Sequence, residues 1–350
     1  HFATSIKKVR RADYMLAQNL TLRQHALGHF DKMLHAIAKD PAMILFLDNQ
    51  SNRKGAPNEN FAREVMELFT LGEGHYTEAD IKDAARAFTG WTVDQRYRTF
   101  TKRQRQHDDG TKRVLGKRGN LDGEDVLKIL LERPETAMFI TEKLWREFIS
   151  PDPDPKELTR LAAVFRSRDY DISALMQAIL TSDHFYAPEN RTSLIKSPVE
   201  YIAGLLRQFK VRPTDLEPLT NLSRGMGQDL FNPPNVKGWP GGTNWINSNT
   251  LTMRQQLTGR IFRAEEMPAP VKDYVKKKKQ PGRKMVGINF QLQDWLSAYP
   301  GRMREQREAI ARNLLSEMYW EEFRADIENP ALTSRDFLQV LLKSPYYELK

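Results

Sequence analysis

Residues 57 to 91, PNENFAREVMELFTLGEGHYTEADIKDAARAFTGW, crowd carboxylates, amides and arginines around glycine-marked breaks. Glu64 and Asn60 fall on the border of an apolar arc, beside Leu68. A carboxylate at such a border is partly desolvated, which raises its pKa toward general acid–base use. Pairing with an arginine such as Arg86 is the competing role. Asn58, Glu59 and Asn60 are further candidate ligand-binding groups. His107-Asp108 offers an imidazole beside a carboxylate, suited to a base, a metal ligand or a turn anchor. His1, Glu59, Glu64, His107 and Asp108 together form a candidate set for a divalent transition metal such as zinc, manganese or iron. Glu64, His107 and Asp108 are then the candidate catalytic residues of a metal-assisted hydrolysis or oxidation. His25 and His29 stand four apart, a spacing at which two imidazoles on one helix can share a metal, but no HExxH pattern surrounds them.

A second chemistry is carried by FNPPNVKGWPGGTNWINSNT, nearly free of charge. Trp239, Trp245 and Asn247 in this stretch can stack on and hydrogen-bond a glycan or other polymer. The indoles can equally plug a helical core, and the amides can serve the loop's own backbone.

The elements that must position these residues are mostly helices. At roughly 100° per residue, Phe61, Ala62, Val65, Leu68 and Phe69 share one face. Glu59, Arg63 and Glu67 form a charged stripe on the other. Thr77 caps the next helix, with Asp80 three residues on, and Ile81, Ala84, Ala85 and Phe88 are its buried stripe. GEGHYTEAD between them lacks the alternating ligands of an EF-hand. Leu27, Phe30, Leu34 and Ile37 form another apolar face. Ser197-Pro198 with Glu200, and Asp154-Pro155 with Glu157, are explicit helix starts. The fold class expected is mainly α, with a small β-hairpin insertion near residues 96–116 turning at Asp109-Gly110, and a long irregular loop near 231–249.

Apolar content of 40% and charged content of 28% belong to a globular chain. No cysteine is present, which excludes disulfides, thiolate metal sites and a cysteine nucleophile. No run of roughly 18 apolar residues exists, so no membrane-spanning helix is expected. The net charge of +9 is concentrated in residues 96–118 and 272–284, and the remainder is net negative. Both stretches are solvated loops or anion-binding patches. Aromatic interleaving is thin, so nucleic acid is an unlikely partner. Composition places a main helical domain at 1–265, a basic Pro/Lys-rich linker at 266–285 and a helical tail at 286–350.

Four stretches, PAMILFLDNQSNRKGAPNENFAREVMELFTLGEGHYTEADIKDAARAFTGW, HDDGTKRVLG, IKSPVEYIAGLLR and MGQDLFNPPNVKGWPGGTNWINSNTLTMR, resemble in order the domain of unknown function 1800 family, a bacterial and mainly helical family without an established activity. The resemblance runs over about residues 1–262, and HFATS resembles the end of a family motif, implying that part of the domain precedes it. Genes of the family often neighbour those of the domain of unknown function 1501 family, whose members look like exported sulfatase-type proteins. The resemblance therefore implies a periplasmic or extracellular location and a protein of that second family as partner. Two functions from different classes follow: a non-catalytic binding or scaffold role toward a partner protein or surface polymer, glycan or anionic, and the metal-assisted enzyme above. Polyanion or nucleic-acid binding through the basic stretches is a third.

Overall fold

The computed structural model describes residues 1–213, 215–266, 288–289 and 292–350, with 263–266 and 288–289 described by backbone alone. The expected linker falls almost wholly outside the described residues. The chain divides into two compact units, His1–Ala187 with Phe231–Trp239, and Pro188–Leu230 with Pro240–Lys350. These boundaries differ from those expected at 265 and 286. The described part of 292–350 packs its apolar face with helices from residues 198–262 in one core, rather than standing apart as a tail.

The architecture is mainly α. Local signals start many of the helices. Asp40 caps Pro41–Phe46 through the amide of Met43, and Thr77 and Asp80 close a capping box on Glu78–Ala87. Asp122 and Asp125 do the same for Gly123–Glu132, while Asp154 and Asp171 cap Pro155–Ser167 and Ile172–Leu180. Leu27 departs from expectation. It is 67% exposed, because the first helix of that stretch ends at His25 and the next begins at Phe30, so one helical phase does not run through it. The same break separates His25 from His29, whose Nδ1 lies 2.8 Å from the Asp169 carbonyl.

Strands are short. Trp91–Asp94 pairs antiparallel with Thr99–Lys102, and Lys112–Val114 with Lys117–Gly119. The expected single hairpin is thus two. The second turns at Leu115 and Gly116, both with positive φ, whereas Asp109-Gly110 lies in the connection, where the Gly110 amide donates to Asp108 Oδ1. A two-residue pairing joins Arg212–Pro213 to Ile288–Asn289.

In the first unit the two helices of the opening motif meet on aromatic edges. Phe61 and Phe88 stand 4.9 Å apart and Phe88 and Trp91 5.2 Å, both pairs T-shaped and buried. Gly123 starts the following helix there because a Cβ would lie 2.4 Å from the Trp91 ring. Buried amides lace the loop before the motif to this core. Asn52 donates to the Ala85 carbonyl, Asn49 to that of Trp91, and Asn52 Oδ1 accepts from the amide of Asn58. A polar chain runs beneath the Pro41–Phe46 helix, from Thr4 to Gln18 to Asp40.

The second unit has its own core around Tyr201, Leu205, Phe209, Leu257, Phe337 and Leu341. It buries charge as well. Arg254, wholly inaccessible, bonds Glu348 and the Lys196 carbonyl, and Arg307 donates to the carbonyls of Ile327 and Leu332.

Truncating Phe88→Ala should cost roughly 3–5 kcal/mol, since it empties an aromatic contact on both sides. A loss below about 1 kcal/mol in a urea titration would contradict the packing. Burial pushes the Asp40 carboxyl up to about 6 against the hydrogen bonds from Met43, Gln18 and Ala42. A carboxyl raised in the folded state contributes stability below its unfolded pKa and loses it as pH rises through the folded value. Asp40→Asn should therefore gain on the wild type by on the order of 2 kcal/mol between pH 4 and 7. A difference that stays flat across that window would show that Asp40 titrates normally.

Candidate functional site

The Asn60–Glu64 α-helix does not continue unchanged. From Val65 to Thr70 it widens into a π-helix, in which the Leu71 amide reaches back to the Met66 carbonyl at 2.8 Å. Thr70 Oγ1 donates to the Val65 carbonyl at 2.7 Å, a side-chain bond within the widened turn. The extra residue shifts the helical phase. Glu67, placed by an α-helical wheel on the solvated stripe, has a side chain only 20% exposed and points to a cavity.

That cavity, about 700 Å3, lies within the first unit. One wall is the π-helix and the turn after it, with Glu67, Leu68, Leu71, Gly72, Glu73 and His75. Gly72 has φ +81°, and a Cβ would sit 3.1 Å from the Phe139 ring, so a side chain here would be strained and would crowd the wall. The opposite wall is one face of the Pro134–Phe148 helix, presenting Glu135, Met138, Phe139, Glu142 and Lys143. His1 and Lys237 complete the lining.

Most of its charges have partners. Tyr76 donates to Glu67 at 2.6 Å, and burial together with that bond pushes the phenol pKa up. Lys237 bonds Glu73 at 3.0 Å and lies 3.9 Å from Glu67. Arg146 holds Glu142. Two groups differ. Arg133 takes Glu135 Oε1 at 3.0 Å, but Oε2 is buried with no hydrogen-bond partner. Burial would raise this carboxyl, yet its own backbone bond, Arg133 and His75 outweigh it and hold the group below the usual range. Lys143 makes no ion pair among the described residues; its Nζ lies 4.6 Å from the Phe139 ring centroid, and burial pushes its pKa down against the attraction of Glu142.

The residues singled out from sequence lie as follows. Asn58 Nδ2 donates to Ser51 and its Oδ1 accepts from Asn60 N, while Asn60 Nδ2 donates to the Leu47 carbonyl, so both shape the loop. Glu59 lies 3.3 Å from Arg63, which binds Glu78 more closely at 2.7 Å. His107 is buried with Nδ1 2.9 Å from the Thr89 carbonyl, and Asp108 accepts from Arg86 Nε at 2.8 Å, which keeps its pKa at about 2. No hydrogen bond or ion pair joins Glu64 to either. Arg86 goes to Asp108 and Asp83, not to Glu64. Glu64 is half-buried beside the cavity, with its pKa raised by burial and by Glu67 against Lys237 and Arg63. His1 Nε2 lies 3.1 Å from the Phe69 carbonyl. The proposed metal set does not converge: no group of three or more His, Asp or Glu among the described residues could hold an ion. Hydrogen bonds to Thr89 tie His107 and Asp108 to the end of the Glu78–Ala87 helix.

Trp239 belongs to the first unit, with its indole N–H buried and without a partner, and Trp245 and Asn247 belong to the second. Trp245 is buried, and Asn247 exchanges hydrogen bonds with Thr250 at the start of Ser248–Glu266. Of the basic stretch 96–118, Lys112 is buried on the Leu121 carbonyl, while Arg98, Lys102 and Lys117 pair with Asp13, Asp122 and Glu132.

A family model described as "Protein of unknown function (DUF1800)" matches residues 1–349. The chain belongs to the DUF1800 family. The match runs past residue 262, the end expected from the motifs, so the DUF1800 unit includes both compact units. No curated protein and no solved structure matches the chain. No described helix of this DUF1800 chain is long and apolar enough to cross a membrane.

Sequence reasoning missed Glu135, Phe139 and Lys143, although their spacing of four along PETAMFITEKLW marks one helical face. Asp108→Asn should lower stability by about 1.5–3 kcal/mol, the usual range for a hydrogen bond to a charged group. Its effect on the cavity should be nil. A variant as stable as the wild type would mean the Arg86 contact is dispensable.

Proposed function

We propose that this protein is a non-catalytic binding protein acting outside the cytoplasm, and that the cavity beside the π-helix takes the polar end of a partner protein or surface polymer. One observation carries this reading: the half-buried Lys143, which makes no ion pair among the described residues, lines one concave cavity together with Glu67, Glu73, Glu135 and Lys237 over an apolar floor. Charges in such a setting are costly unless another group meets them. The hydrolytic alternative asks for Glu64, His107 and Asp108 in one place, and no hydrogen bond or ion pair among the described residues joins Glu64 to the other two. Concave, mainly apolar sites with a few convergent polar groups are the usual form of ligand pockets, and this volume is within their range.

The reading is tested by a thermal-shift panel of short peptides and oligosaccharides on the wild type and on Met138→Trp, which fills the cavity from its wall. A panel member that raises Tm in the wild type should leave Met138→Trp unmoved. Equal shifts in both proteins, or a wild type that no member stabilises, would overturn the reading.

A further inference from the structure

Arg53, Lys54, Arg103 and Arg105 are exposed, and no ion pair or ring contact among the described residues engages them. They come from stretches far apart in sequence, and main-chain bonds bring the two together. The Lys54 amide donates to the Gln106 carbonyl at 2.7 Å. Gly90 joins the same turns, its amide donating to the Asn52 carbonyl and its carbonyl accepting from the Arg103 amide. It has φ +81°, and a Cβ there would stand 2.7 Å from the Arg103 carbonyl oxygen, so a side chain would force the turns apart. Beneath them the buried Asn52 donates to the Ala85 carbonyl, and the buried His107 has Nδ1 2.9 Å from that of Thr89. The fold therefore fixes four like charges on one platform, where they repel one another until an anion meets them. The carboxylates nearest along the chain are engaged elsewhere: Asp48 by Lys8, Glu59 by Arg63 and Asp108 by Arg86. Asp109 lacks a cation and accepts from Gln104 Nε2 at 3.1 Å.

We propose that this platform docks a linear polymer of phosphate groups, laid across Arg53, Lys54, Arg103 and Arg105. Three of the four are arginines, whose planar forks match the oxygens of a phosphate better than a lysine ammonium does. No large apolar side chain is exposed along residues 50–57 or 103–110. The turns thus offer neither a wedge for a bilayer nor a ring on which a nucleobase could stack. The rest of the basic stretch is spent inside the fold, on the Leu121 carbonyl and on Asp13, Asp122 and Glu132. None of the four cations lines the cavity, so this surface stands or falls independently of it. His107 is then a positioning residue, buried to hold the turn that presents Arg103 and Arg105.

The test is fluorescence anisotropy with end-labelled polyphosphate across a salt series. The proteins are the wild type, Arg53→Gln, Arg103→Gln, Arg105→Gln and Arg168→Gln, all altered at exposed positions. Arg168, at the end of the Pro155–Ser167 helix, supplies the same loss of charge outside the platform. Each charge neutralised on a single-stranded polyanion contributes about 0.7 to the slope of log K against log salt, so four cations give a slope of about −3. Each platform variant should bind several-fold more weakly and reduce that slope by about 0.7, whereas Arg168→Gln should change neither. Oligothymidylate and polyglutamate of equal charge, and phosphatidylglycerol vesicles, should all bind more weakly than polyphosphate. No binding at low salt would overturn the proposal. A loss in Arg168→Gln equal to that in the platform variants would do the same, since attraction would then follow net charge alone. Oligothymidylate, polyglutamate or vesicles held as tightly as polyphosphate would overturn the assigned partner. Polyphosphate binding that vanishes in Met138→Trp would move the anion to the cavity and end the case for the platform.

Discussion

The constraint on which the candidate site depends is the widened turn from Val65 to Thr70. An α-helix continued through this segment would keep Glu67 in register with Glu59 and Arg63, on the solvated stripe. The i→i+5 bond from Leu71 to Met66 widens the turn by one residue and shifts the helical phase within it. Such a turn is less regular than an α-helix, and the fully buried Thr70 hydroxyl adds a bond within it to the Val65 carbonyl. The rotation carries Glu67 into reach of Tyr76 and Lys237, and it sets Leu68 and Leu71 on the cavity floor. Gly72 then ends the segment at a positive φ, which keeps the wall at contact distance from Phe139. A local departure from helical geometry thus decides which carboxylate belongs to the site.

This explains why part of the site was legible in the sequence and part was not. The apolar arc of Phe61, Val65 and Leu68, the stripe of Ile81 and Phe88, and the caps at Thr77, Asp154 and Ser197 all follow from short-range rules, and the structure has them where those rules put them. Glu67 needed the π-turn, which leaves no periodic mark. His107 and Asp108 illustrate a different limit. Their residue types fit a catalytic role, but whether an imidazole faces solvent or a carbonyl depends on the end of another helix, here Thr89, eighteen residues away in sequence. The hairpin turn was misplaced because Asp109-Gly110 and Leu115-Gly116 lie within one short stretch. Asp-Gly is the stronger local signal, yet Leu115 accepts the left-handed conformation in the turn.

How the fold treats the charges it buries for structure gives a standard for judging the cavity. Arg254 is wholly inaccessible and meets a carboxylate and a carbonyl. Arg307 donates three bonds to main-chain oxygens. Asp40 is met by the amide of Met43 and the side chain of Gln18. In each case the opposite or complementary group comes from the same unit. The match is not complete, since Arg254 Nε and Glu135 Oε2 are buried without a hydrogen-bond partner. Along the Pro134–Phe148 helix the charges differ in how they are met: Glu135 pairs with Arg133 and Glu142 with Arg146, an i, i+4 pair, whereas Lys143 makes no ion pair among the described residues.

Structural use of a charge and its use in recognition therefore separate by geometry. A structural pair is closed within hydrogen-bond distance and loses little when the solvent changes. A half-buried charge without an ion pair carries a standing desolvation cost that a ligand of opposite charge can relieve. The rigidity matters as much as the charges. The Pro134–Phe148 helix starts on a proline, buries Trp145 on its far side and packs against Pro155–Ser167, so the span between Glu135 and Lys143 is preset rather than adjusted on binding. The π-helix wall opposite is anchored in the same core through Phe69 and Met66. With both walls fixed, the charge of the cavity lies with Glu67, Glu73, Glu135, Glu142, Lys143 and Lys237, and Glu64, half-buried and acted on by Glu67, adds negative potential beside them.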